Sequence, residues 1–156
     1  MRISENSYDW LGPGMYFWEN DSDRALEWAK AKYPKASAIV GAYIDLGLCL
    51  DFMSSAFLDL LTPAYESIAT PELPENSGSM LLRPRDCAVI MAIHQTRVDN
   101  SEAPFDTVRG VFWEGDEVYP TAGFYKRNHI QIAVRNPNCI KGFFLPRKKN
   151  EKFPAP

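Results

Sequence analysis

Leu11-Gly12-Pro13-Gly14-Met15-Tyr16-Phe17-Trp18 decides how the rest of the chain is read. Two glycines around a proline allow a sharp turn, and the apolar and aromatic run behind them is satisfied only by burial in a sheet. The stretch therefore predicts a strand that starts beside bare backbone, where a flat ligand could lie against aromatic rings and main-chain N–H groups. An ordinary turn before a core strand has the same sequence, and Gly-x-Gly alone does not separate the two. Before it, residues 1–10 are polar ahead of Trp10 and predict an irregular lead-in. After it, Asp21 or Ser22 can cap a helix with Ala25, Trp28, Ala29 and Lys32 at helical spacing, which Pro34 stops.

Further on, Ala36 to Leu46 is apolar on both alternating faces, the pattern of a central strand covered on both sides, and Gly47 ends it. Ser54 and Ser55 can cap a second helix bearing Phe57, Leu58 and Leu61, with a break and restart at Pro63. Thr70 to Ser79 reads as the principal loop. From Arg85, with Asp86 as cap, Cys87, Ile90, Met91 and His94 share one side of a helix that ends before Asp99, and His94 reads as a hydrogen-bonded core histidine. Strands follow at Thr107–Trp113, His129–Val134 and Ile140–Leu145. Mixed without regular alternation, these elements predict an α+β fold: one domain over residues 1–146, with a basic, proline-punctuated surface tail over 147–156.

The 156 residues, 46% of them hydrophobic, suffice for one core without staples. A formal net charge of −3 argues against a protein that works mainly by coating nucleic acid, although it leaves room for a local basic patch. Cys49, Cys87 and Cys139 are odd in number and widely spaced, with only His94 and His129 to join them; they predict reduced thiols in a cytoplasmic protein and no metal site. No run approaches the length of a membrane span. Serine-hydrolase elbow, P-loop and zinc-protease motifs are all missing from the sequence.

Two other stretches collect polar groups beside strands. Trp113-Glu114-Gly115-Asp116-Glu117 places three carboxylates where a strand leaves the sheet, fit for acid/base or cation-stabilising work or for a solvated hairpin tip. In Asn128–Val134 the period of two puts His129 and Gln131 on one face and Ile130, Ile132 and Val134 on the other, so the two polar groups point into the same space; the polar outer face of an edge strand reads identically.

Gly12-x-Gly14-Met15-Tyr16-Phe17, a short acidic turn, then Asp23-Arg24-Ala25-x-x-Trp28-Ala29 resembles the Gly-x-Gly-Ile/Val-Tyr-Phe strand and following helix of the ADP-ribosyltransferase superfamily, in the branch of diphtheria-like toxins and poly-ADP-ribose polymerases. Asn128–Val134 followed by Ile140–Phe144 resembles the segment that carries that family's third catalytic residue. The resemblance implies split antiparallel sheets with flanking helices and a cleft between them that takes NAD as substrate, without a metal. It implies NAD contacts at Asn6, Gly12, Gly14, Tyr16 and Phe17, with Tyr16 stacked on the nicotinamide, and a catalytic set drawn from Tyr16, Gln131, His129 and Glu114. Two features depart from the family pattern. The eleven residues before Gly12 hold no counterpart of its first catalytic His or Arg strand, and Gln131 or His129 stands where the family has a glutamate, with Glu114 the nearest acid. A neutral group there stabilises the cationic transition state less well. The implied activity is mono-ADP-ribosylation of a protein or nucleic-acid target by a toxin or effector, held in check by an antitoxin or inhibitor. The alternative is a catalytically silent domain of the same kind that binds a partner protein.

Overall fold

The strand expected behind the glycine turn forms as β1 (Met15–Trp18), and its partner comes from the far end of the chain. In the computed structural model, which describes residues 2–77, 82–147 and 152, β1 pairs antiparallel with β5 (His129–Val134), Met15 opposite Val134 and Trp18 opposite Gln131. β5 pairs with β4 (Thr107–Phe112), and β4 runs parallel to the three-residue β3 (Cys49–Asp51), so the sheet order is β1-β5-β4-β3. A second sheet contains only β2 (Gly41–Ile44) and β6 (Ile140–Phe144), antiparallel to each other.

Alternation along the strands gives the larger sheet two different faces. Tyr16, Ala133, Val108 and Leu50 face the helices α3 (Leu61–Ile68) and α4 (Pro84–Asp99), and join Leu11, Ile90, Ile93 and Phe105 in one core. Met15, Phe17, Ile132 and Val134 face the other way, against Ala42, Ile44 and Ile140 of the second sheet and Leu46 just beyond β2. Leu11, Leu50, Val108 and Val134 are wholly withdrawn from solvent. Each such side chain contributes about 1.5–3 kcal/mol relative to exposure. The architecture is α+β.

The first helix forms as expected: α1 (Ser22–Lys32) begins where Asp21 Oδ1 accepts from the Arg24 N–H at 2.9 Å and ends two residues before Pro34. Several expectations require correction. The long central strand over 36–46 shrinks to β2, because it pairs with β6 alone and the backbone from Pro34 to Val40 is irregular; Tyr43, rather than being covered, is 64% exposed. The strand at His129–Val134 is interior, not an edge. A short α2 (Ser55–Leu58) precedes α3, which restarts at Leu61 rather than at Pro63. Arg83, not Asp86, occupies the N-cap of α4 with Pro84 behind it, and Asp86 instead accepts from Asn76 Nδ2 at 2.7 Å and Arg83 Nε at 2.6 Å. β4 and β6 each end one residue early. The lead-in folds back on the turn, Ser4 exchanging backbone hydrogen bonds with Gly14 at 2.8 and 3.0 Å. Thr70–Ser77 is irregular, as a loop should be; Gly78 and Ser79 of the expected loop, and the expected tail apart from Arg147 and Lys152, lie outside the described residues.

Candidate functional site

His129 and Gln131 do share a face, and a chain of hydrogen bonds fixes their orientation. Trp10 Nε1 donates to Gln131 Oε1 at 2.7 Å, Gln131 Nε2 lies 2.8 Å from His129 Nε2, and His129 Nδ1 lies 2.7 Å from the Arg127 carbonyl. An indole nitrogen can only donate, so the amide must present its oxygen to Trp10 and its N–H to His129. His129 Nε2 is then the acceptor and Nδ1 carries the proton. The imidazole is therefore neutral, and burial, the largest influence on it, pushes its pKa down. Both side chains are buried, at 6% and 8% exposed. Trp10 reaches Gln131 because Gly110, opposite Gln131 in β4, has no side chain: a Cβ there would stand 3.0 Å from Trp10 Cη2. Phe112 and Trp18 flank the imidazole, with ring centroids 5.3 and 6.0 Å away.

Glu114 leaves β4 toward α1 and pairs with Arg24, which also bonds Glu27 Oε2 at 3.0 Å. Arg24 is 8% exposed, so the ion pair is largely withdrawn from water. Of the three carboxylates that could form a solvated tip, Asp116 and Glu117 are exposed and Glu114 is not.

A cavity of about 710 Å³ opens between β1 with α1 on one side and the second sheet on the other, with Phe17, Trp18, Trp28, Gly41, Phe144 and Arg147 among its walls. Glu19 also lines it, clamped by Arg109, whose Nε and Nη2 donate to the two carboxylate oxygens at 2.6 and 2.9 Å while Nη1 donates to Asp51 at 3.0 Å. These donations, above all those to Glu19, push the Arg109 pKa up. Gly41 leaves room for Phe144, whose ring occupies the space a Cβ would need.

The residues singled out in the sequence divide between these places. Tyr16 and Phe17 line the cavity; Asn6, Gly12, Gly14, Glu114, His129 and Gln131 do not. The phenol of Tyr16 turns inward, donating to the Gly12 carbonyl at 2.8 Å and accepting from the Leu11 N–H at 3.1 Å, and burial pushes its pKa up. The backbone of the glycine turn is not bare. Ser4 occupies Gly14, and a Cβ on Gly12, whose φ is 76°, would meet Ile90 Cγ2 at 3.1 Å. Asn6 bonds Ser4 and Asp9 at the surface. Trp18 alone connects the two regions: it walls the cavity, stands opposite Gln131 and lies beside the His129 ring.

Trp10, Trp18 and Arg24 were not anticipated as site residues. Trp18 was legible from the alternation that places it with Tyr16; Trp10 and Arg24 depend on partners at Gln131 and Glu114 that no local pattern supplies. His94 is buried in the core as expected, at 3% exposed, but it is not hydrogen-bonded: neither ring nitrogen has a partner among the described residues. Its ring sits edge-on to Phe105, centroids 5.8 Å apart, and burial pushes its pKa down to about 3.

All three cysteines are free thiols. Among the described residues, no group of three His, Cys, Asp or Glu side chains could hold a metal ion, and no helix is long and apolar enough to cross a membrane. No family model, curated protein or solved structure matches this chain.

Proposed function

We propose that the chain is a NAD-dependent mono-ADP-ribosyltransferase of the kind its glycine-turn strand resembles, acting in the cytoplasm as a toxin or effector. One observation carries this reading. The strand after Gly12-Pro13-Gly14 lies directly against the late strand bearing Gln131, beside a cleft between the four-stranded sheet and the two-stranded one. The cleft's volume falls within the range of about 300–1,000 Å³ found for small-molecule and cofactor sites.

In the reaction, the bond from C1′ of the nicotinamide ribose to the pyridinium nitrogen breaks and its electron pair leaves with nicotinamide. A nucleophile on a protein or nucleic-acid acceptor then bonds C1′ and loses its proton. Trp18 and Trp28, with ring centroids 5.3 Å apart, form the aromatic wall against which the ring is held. The Gln131 oxygen accepts from Trp10 and keeps a second lone pair, but Gln131 lies beside Trp18 and outside the cavity, so a ribose hydroxyl meets it only by passing Trp18. Glu114, oriented by Arg24 outside the cavity, is the acid that the resemblance offers for the positive charge that develops.

The silent alternative, a domain that binds a partner protein, is favoured by the same polar chain: the amide of Gln131 is engaged at both ends and His129 is neutral. Labelled NAD with a cell lysate, and calorimetry with NAD alone, separate the two. Label transferred and nicotinamide released establish the transferase, whereas NAD bound and never cleaved leaves a silent binding domain. If millimolar NAD produces neither heat nor a shift in thermal stability, the transferase reading falls and the partner-binding one stands.

A further inference from the structure

The mouth of the cleft has a chemistry of its own. On one side, α1 ends in Lys30 and Lys32, with Lys35 in the turn beyond, all exposed. Lys32 Nζ sits 4.6 Å from the centroid of Trp28, a wall of the cavity, which places this cationic end at the opening. On the other side, Arg147 follows β6 and lines the same cavity. None of these four cations has a carboxylate partner among the described residues. The carboxylates that line the cavity are engaged, Glu19 by Arg109 and Asp21 as the N-cap of α1. The chain as a whole has a net charge of −3, so the positive charge here is local.

Three exposed rings line the cavity or lie against a residue that does, Tyr33 against Trp28 and Tyr43 against Phe144. Tyr33, 54% exposed, terminates α1. Tyr43 and Phe144, 64% and 41% exposed, lie against each other on the second sheet with centroids 4.9 Å apart, and Phe144 also lines the cavity. Unpaired cations track a phosphate backbone and exposed rings stack on unpaired bases; this combination fits a single strand, whereas a duplex hides its base faces.

We propose that this rim docks single-stranded nucleic acid and presents it to the cleft. The identification of that strand as the acceptor rests on the transferase reading; the docking itself does not. Binding of a fluorescent single-stranded oligonucleotide, read by anisotropy across a salt series, tests it, with the matching duplex and polyglutamate as competitors. Separate deoxy and ribo versions distinguish DNA from RNA.

The single strand should bind, and log K should fall with log salt at a slope of about −3, the value for four cations on a single strand. The Lys30→Ala/Lys32→Ala/Lys35→Ala variant should flatten that slope to about −1. Tyr43→Ala, an exposed ring whose loss leaves the core intact, should weaken binding by about tenfold or more. Lys126→Ala, on the hairpin between β4 and β5, should change neither quantity. No salt-dependent binding, equal binding of the duplex, competition by polyglutamate, or indifference to the lysine variant overturns the proposal. Transfer of label from NAD to lysate proteins while the oligonucleotide does not bind would sink this inference and leave the transferase standing. Oligonucleotide binding without NAD cleavage would do the reverse.

Discussion

Trp10 and Gln131 stand 121 residues apart in sequence, and the indole Nε1 of one donates to the amide oxygen of the other at 2.7 Å. Since the indole fixes which way the amide faces, and the amide fixes which imidazole nitrogen of His129 is bare, a residue of the lead-in determines the tautomer of a histidine on the central strand.

Gln131→Leu should therefore cost more than one lost hydrogen bond. It leaves the Trp10 N–H and His129 Nε2 buried without partners, and each such group costs about 1–3 kcal/mol. Urea unfolding should show a loss of roughly 2–5 kcal/mol. Gln131→Glu tests the chemistry instead: the carboxylate keeps the bond from Trp10, favours a protonated His129, and should raise the rate of nicotinamide release from NAD. A Gln131→Glu rate no higher than that of the parent chain would count against Gln131 as the residue facing the ribose.

His94 predicts how stability depends on pH. Its pKa is about 3 in the fold against 6.5 as the ordinary value, so between these limits the unfolded chain binds a proton that the folded chain does not. The His94 contribution is complete above pH 6.5 and is lost progressively as the pH falls toward 3. His94→Leu removes the titrating group along with two unsatisfied nitrogens. It should leave the protein as stable or about 1 kcal/mol more stable at neutral pH, with a shallower decline in denaturant midpoint between pH 6.5 and 4; an unchanged pH profile would contradict this assignment.

Gly12→Ala and Gly41→Ala should behave differently although both add one methyl group. At Gly12 the new Cβ meets Ile90 in the core, 3.1 Å away, on a residue with φ of 76°, so conformational strain and crowding add up to about 1–3 kcal/mol. At Gly41 the obstacle is the ring of Phe144, which is 41% exposed and can swing aside. Gly41→Ala should change the thermal midpoint little and alter ligand affinity at the cleft, whereas Gly12→Ala should lower the midpoint.

Arg109 joins the end of β1 to β3 and β4 through Glu19 and Asp51. Arg109→Lys keeps the charge but not the fork that meets both oxygens of Glu19, and should cost about 1–2 kcal/mol. Arg109→Ala leaves Glu19 and Asp51, both partly buried, without their cation and should cost about 2–4 kcal/mol. An Arg109→Lys variant as stable as the parent chain would show that the fork contributes nothing.

The legible parts of this fold were those written locally. Asp21 ahead of Ser22-Asp23-Arg24 marked the start of α1, and alternation from His129 to Val134 put His129 and Gln131 on one side of their strand. What depended on distant partners was not legible. Cys49–Asp51 is too short to carry a pattern and is a strand only because Thr107–Arg109 lies beside it. Ala36–Leu46 looked covered on both faces because one face meets the core while the other exposes apolar groups at the cleft and the surface, and hydropathy does not distinguish these fates. Whether the polar face at His129 and Gln131 turned inward or outward stayed open for want of any sign that Trp10 would reach it. The glycine turn looked bare because neither Ser4 nor Ile90 announces itself as its cover.

β1 closes one border of its sheet against a strand more than a hundred residues later, and β2 finds its only neighbour at β6. On the ribosome, then, β1 and β2 emerge with nothing to pair with until β5 and β6 have been made. Both pairings must wait for those later strands, and contacts of such long range close slowly. A nascent chain arrested before His129 should remain sensitive to protease throughout β1 and β2, and one arrested beyond Phe144 should become resistant in both at once.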